Sequence, residues 1–261
     1  AYEITYGDWS SDVCSSDLNM RDTPYYRDCV WEQFSAGEYK RRYESLRVKM
    51  REHKLDAVVV PGGPSHWSFG AGMTWLTGHW EWHALCCYVL VPVVGEPTMI
   101  YSMGGTHAEA VRRHVEVAVK DVRHSRNGQY AMVMVERLRE LKLERGRIGL
   151  MEIDPRHGDY LPVNQYNTLR KELPDVELVF TKNFLHELVV VHSKEELDCV
   201  RKAGVLCQRA MEAMVARAKP GVKEYELKAA AANAIMEGGG DIDLLIIGST
   251  PMDNPARSGE H

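Results

Sequence analysis

Apolar residues recur at helical spacing in two stretches that frame the chain. In the first, Tyr43, Leu46, Met50 and Leu55 form one face, and Ser35 with Glu38 three residues on has the form of a capping box. Together they predict a helix over 35–53. In the second, Ser193 and Glu196 repeat the capping box, and Leu197, Val200, Ala203, Gly204, Cys207, Ala210, Met211, Met214 and Val215 follow at helical intervals. Pro220-Gly221 breaks that run, a second helix is expected over about 223–236, and Gly238-Gly239-Gly240 ends it. Between the frames, short apolar runs alternate with helical ones. A strand is expected over 56–60, and 89–92 with 95–101 reads as a hairpin. A helix over 106–114 precedes a strand over 115–119, a helix over 130–141 precedes a strand over 147–151, and a helix over 161–171 precedes a strand over 176–180. This alternation predicts a layered α/β domain with a mixed sheet, ending near 188–192. A last apolar run, Leu244-Leu245-Ile246-Ile247, predicts a strand over 242–247 that would aggregate if left unpaired.

Composition narrows the partners more than the chemistry. The 261 residues suffice for one large or two ordinary domains, and a hydrophobic share of 44% allows a full core. A formal net charge of -5 argues against nucleic-acid binding driven by bulk charge. The nearest basic block, Lys40-Arg41-Arg42, reads most simply as the solvated face of its helix. No apolar run approaches the ~18 residues of a membrane span, and no signal peptide is visible. Six cysteines show no metal spacing; Cys86 and Cys87 point to opposite faces of a strand, and Cys199 and Cys207 are expected to pack rather than bond. That is a reduced, cytoplasmic pattern.

The densest polar and aromatic cluster is His79-Trp80-Glu81-Trp82-His83. Two histidines four apart can share a helix face and hold zinc, but Glu81 is not beside the first histidine as in H-E-x-x-H, and the segment leads into a strand. A pocket-lining or solvated loop explains it better. His66 fits a turn, and His107, His114 and His124 are expected to be exposed. The segment from Asp154 to Asp159 is a turn by composition. Gly238-Gly239-Gly240 is no phosphate loop, since acidic Asp241 and Asp243 follow it.

Order and spacing carry a resemblance. The run from Ser193 to Gly204, S-K-E-E-L-D-C-V-R-K-A-G, is followed one helix later by Lys219, Pro220, Gly221, Glu224, Glu226 and Leu227. Upstream stand Ala57-Val58-Val59-Val60-Pro61 and Thr74-Trp75-Leu76-Thr77-Gly78-His79. This series resembles the creatinase, prolidase and aminopeptidase P family of pita-bread metallohydrolases, with Lys223 and Val189-Val190-Val191-His192 departing from its pattern. The resemblance implies a creatinase-type N-terminal layered α/β domain with a mixed sheet over 19–188. After it, over 189–261, would come the first helices and strand of an incomplete pita-bread α+β domain. It also implies a metal-dependent hydrolase that cleaves an Xaa-Pro peptide or small amide with a metal-bound hydroxide. The metals would be a divalent pair of manganese, cobalt or zinc in the full-length protein, which is expected to be a homodimer. Such enzymes use two Asp, one His and two Glu, all downstream of the segment matching 246–250, so no metal ligand and no catalytic residue is assigned here. The region after the L-T-G segment approaches a partner subunit's active site in the family, which makes His79, Trp80, Glu81 and His83 substrate-pocket candidates.

Two alternatives stay open on the same scaffold. One is a binding module that lacks the metals, and the other is a relative with creatinase-like or lyase chemistry. A nucleotide-binding α/β protein is disfavoured because no G-x-G-x-x-G follows a strand. Residues 1–18 have no apolar period and resemble a translated sequencing adapter, or else a disordered polar tail. The last five residues carry a weaker version of the same pattern. The chain is thus expected to be a fragment, inactive by itself.

Overall fold

Strand β1, Ala57–Gly62, is buried on both faces and sits inside the sheet rather than at its edge, as a near-continuous apolar run requires. A computed structural model describes residues 33–62, 71–79, 87–152, 160–242 and 244–248. On one side β1 pairs antiparallel with β2, Cys87–Pro92, which pairs antiparallel with β3, Thr98–Tyr101. On the other it pairs parallel with β5, Arg147–Met151, which pairs parallel with β6, Glu177–Thr181. Strand β4, Asp121–His124, adds in parallel to β3, giving the order β4-β3-β2-β1-β5-β6.

The two-residue period of the strands divides the core between the faces. Val58, Val60, Val89, Val91, Met99 and Tyr101 pack against α1 (Ala36–Glu52), α2 (Ala71–Thr77) and α3 (Gly105–Val115). Ala57, Val59, Leu90, Ile100, Ile148 and Leu150 pack against α4 (Tyr130–Glu140) and α5 (Val163–Glu172). The result is the expected α/β layering with a mixed sheet.

Two expectations shift. The strand expected over 115–119 lies at 121–124; Val115 ends α3, and the chain turns with the Ala118 and Val119 amides bonded back to the Val115 carbonyl. Buried Val115 and Val119 serve the core from that turn, which is why their apolar spacing imitates a strand. Helices α2 and α6 (His186–Val189) were not apparent in the pattern, being too short for a period to show.

Beyond α6, Ser193 caps α7, Lys194–Arg217, with a complete capping box, and α8, Glu224–Glu237, packs back along it. The apolar stripe of α7 is not a core face here. Only Glu196 and Ala210 are buried, while Val200, Met211 and Val215 are 58%, 57% and 70% exposed. Cys199 and Cys207, expected to pack, are exposed free thiols. Nor does the strand expected over 242–247 form among its described residues, none of which joins the six-stranded sheet.

The candidate site beside His79

Helix α2 ends by design of its sequence. Gly78 takes a positive φ of 72°, a left-handed conformation that reverses the chain. Its N–H bonds to the Thr74 carbonyl at 2.8 Å. Thr77 Oγ1 donates to the Met73 carbonyl at 2.8 Å and accepts the His79 N–H at 3.0 Å, and Thr74 Oγ1 donates to the His79 carbonyl at 2.8 Å. The two threonines of the T-W-L-T-G-H segment therefore lock the backbone of His79.

The imidazole so placed is buried. Its ring meets Tyr101, at the end of β3, edge-on at 5.5 Å between centroids, and His114, near the end of α3, at 6.3 Å. Gln33 Nε2 lies 2.9 Å from His114 Nε2, and Gln33 Oε1 accepts from the Tyr39 hydroxyl at 2.8 Å. Burial lowers the His114 pKa, and the neighbouring His79 lowers it further against the opposing pull of the Gly78 backbone. Burial likewise raises Tyr39 to about 12. The site is a chain of hydrogen-bonding donors and acceptors, suited to orienting a polar substrate group.

Of the four pocket candidates, His79 is placed here, while Trp80, Glu81 and His83 fall outside the described residues, as do His66 and the turn over 154–159. His114 was expected to be exposed; instead it is partly buried within the site. Gln33, Tyr39 and Tyr101 were not apparent as site residues. Gln33 and His114 stand 81 positions apart, and no spacing rule joins them. The one local signal was Gly78, a glycine directly after an apolar helical turn. Among the described residues no group of three His, Cys, Asp or Glu side chains could hold a metal ion. The donors at this site therefore do not fit a metal pair.

A second polar cluster lies beside the first. Arg42, expected on a solvated face, is 1% exposed. Its guanidinium sits 4.2 Å from the Phe34 ring centroid and 5.2 Å from that of Trp75. It donates to Glu38 Oε1 at 2.7 Å, to the Trp75 carbonyl at 2.6 Å and to Glu196 Oε1 at 3.0 Å. Trp75 Nε1 donates to the same Glu196 oxygen at 3.0 Å. Burial pushes the Glu38 carboxyl upward, but hydrogen bonds from Arg41 and Arg42 outweigh it and hold the group at about 2. Next to this cluster, Gln33 and Phe34 face Glu195, Asp198, Cys199, Arg201 and Lys202 of α7 across a cleft of about 450 Å³.

A six-stranded mixed sheet covered on both faces, with a T-W-L-T-G-H segment folded inward at one end, agrees with the comparisons. The family model of the Creatinase/Prolidase N-terminal domain matches residues 42–188, and the chain belongs to that family. An uncharacterized hydrolase/peptidase of Sinorhizobium fredii is 21% identical over 211 residues, covering 78% of this chain and 51% of the relative. The X-Pro aminopeptidase of Thermotoga maritima superposes with a TM-score of 0.60 at 14% identity, over 76% of this chain and 49% of that one. The dipeptidase PepE of Mycobacterium ulcerans gives a TM-score of 0.56 at 21% identity, over 79% and 51%. The chain thus spans about half the length of these three relatives. No helix among the described residues is long and apolar enough to cross a membrane.

Proposed function

We propose that this chain is the N-terminal part of a cytoplasmic peptidase-like hydrolase that cleaves Xaa-Pro peptides, with the His79 segment lining the substrate pocket. The observation that carries the reading is the burial of His79 against Tyr101 and His114, on a backbone locked by Thr74 and Thr77, within a domain of the creatinase and prolidase family. The names of the matched hydrolase, dipeptidase and aminopeptidase support the reaction class. A divalent metal pair, implied by resemblance, is assigned to residues outside those described here. In a homodimer the segment from His79 to His83 would face the partner's reaction centre, and the chain as it stands should not turn over substrate.

The test compares this chain with the protein extended to the length of its relatives, each supplied with manganese, cobalt or zinc and an Xaa-Pro dipeptide. Only the extended form is expected to hydrolyse it. In that form His79→Gln should raise KM about tenfold and change kcat less, the pattern of a lost binding contact. An extended protein that binds peptide without hydrolysing it would replace the reading with that of a binding module. An unchanged KM in the His79→Gln variant would remove His79 from the pocket.

A further inference from the structure

The cap of α7 is over-built for a cap. A capping box needs one Glu196 oxygen to accept the Ser193 N–H, and Oε2 does so at 2.6 Å. The other oxygen, Oε1, turns away from its own helix and accepts both Arg42 and Trp75 across more than a hundred residues of chain. Arg42 in turn grips the Trp75 carbonyl in α2, and Tyr43, next to it on α1, donates to the Leu76 carbonyl at 3.0 Å. Those two carbonyls immediately precede Thr77, Gly78 and His79.

An ion pair as buried as this, with side chains 1% and 10% exposed, contributes little net stability, because desolvation offsets most of the attraction. What it supplies is direction. A planar guanidinium held between aromatic rings can satisfy Glu38, Trp75 and Glu196 together only in one orientation. We propose that Arg42 is a coupling residue: it ties the orientation of α7 to that of the His79 segment, so that movement of either is transmitted to the other. A second tether supports this. Lys49, two turns further along α1, donates to the Phe184 carbonyl at 2.8 Å and pairs with Glu187 in α6. Both ends of the connector between the sheet domain and α7 are therefore held on α1. The inference rests on the pocket reading only for its consequence for substrate; the coupling itself is observable without one.

The experiment uses the 261-residue chain, labelled for nuclear magnetic resonance at tryptophan and histidine nitrogens. Trp75 and His79 signals are assigned with Trp75→Phe and His79→Gln. Glu196→Gln keeps an acceptor for the cap but removes the charge that Arg42 faces. It should shift both the Trp75 indole and the His79 ring signals. It should also speed proteolysis over 189–194 about tenfold, as a locally opened segment becomes more populated. Glu195→Gln disturbs the adjacent contact to Ser35 and leaves the Glu196–Arg42 junction in place, so it should move His79 far less. Should Glu196→Gln fail to fold by circular dichroism, Trp75→Phe, which removes one donor and keeps the ion pair, is read by the His79 signals and the proteolysis rate instead. His79 signals unmoved in the folded Glu196 variant, or moved equally by Glu195→Gln, would overturn the coupling. The pocket reading fails separately, through an unchanged KM, and leaves these signals as they are.

Discussion

Glu38 sits where two arginines converge, and its charge is worth most where the unfolded chain would begin to protonate. Its carboxyl moves from 4.5 to about 2 on folding. A depressed pKa contributes stability that is complete above 4.5 and is lost as the pH falls toward 2. The loss is on the order of 3 kcal/mol. Denaturant titrations of the native protein and Glu38→Gln should therefore converge as the pH drops through that window; a gap that stays constant would mean that the charge plays no part. His114 acts in the same direction from a higher start, since its pKa is lowered from 6.5 by burial and by His79. Neither behaviour could be read from the residues. Glu38 showed itself only as the acidic end of a capping box, and Arg42 as one of three basic neighbours. Which of Lys40, Arg41 and Arg42 turns inward depends on Trp75 and Glu196, and these arrive only with the tertiary fold.

At the scale of elements, periodicity served where a segment was long and its apolar face met the core. Helix α1 begins at the predicted cap, with Ser35 Oγ accepting the Glu38 N–H at 3.1 Å, but the box does not close, because the Ser35 N–H donates to Glu195 and the Glu38 carboxylate turns to Arg41 and Arg42; Tyr43, Leu46, Met50 and Leu55 are all buried. Strand β5 falls where its apolar run placed it. The pattern misled at 115–119, where a helix end and a turn bury residues at alternate-looking positions, and it was silent on α2, which is only seven residues long. The site inherits that blindness, because its residues stand at the ends of α2, α3 and β3, where no period runs. Helix α7 shows a different gap: its stripe is real in the sequence and bare in the structure. Leu46→Ala, at a position with no exposure, should cost about 2–5 kcal/mol in urea denaturation. Val200→Ala, at 58% exposure, should cost less than about 0.5 kcal/mol. A Val200 penalty equal to that of Leu46 would show that the α7 face is covered in solution.

The molecule as a whole is a fully layered sheet domain joined to a helical pair that shares little of its core. The family's order of elements was legible in the chain because each motif is local: the Thr74 to His79 segment, the Ser193 cap, the Pro220-Gly221 turn. The contact between the two parts was not, since Glu196 meets Arg42 from 154 positions away and Glu195 meets Ser35 from 160. Helix α7 has its cap pinned at Glu196 and its remaining 21 residues supported mainly by α8. Backbone amides should therefore not be protected uniformly along it. Amides of β1 and β5 can exchange with deuterium only through global unfolding, whereas those over 204–217 can open with the helical pair alone. Mass-spectrometric hydrogen exchange should find two tiers: slow uptake in the sheet, and uptake along the distal half of α7 faster by orders of magnitude. A single tier across sheet and helix would mean that the two parts unfold as one cooperative unit.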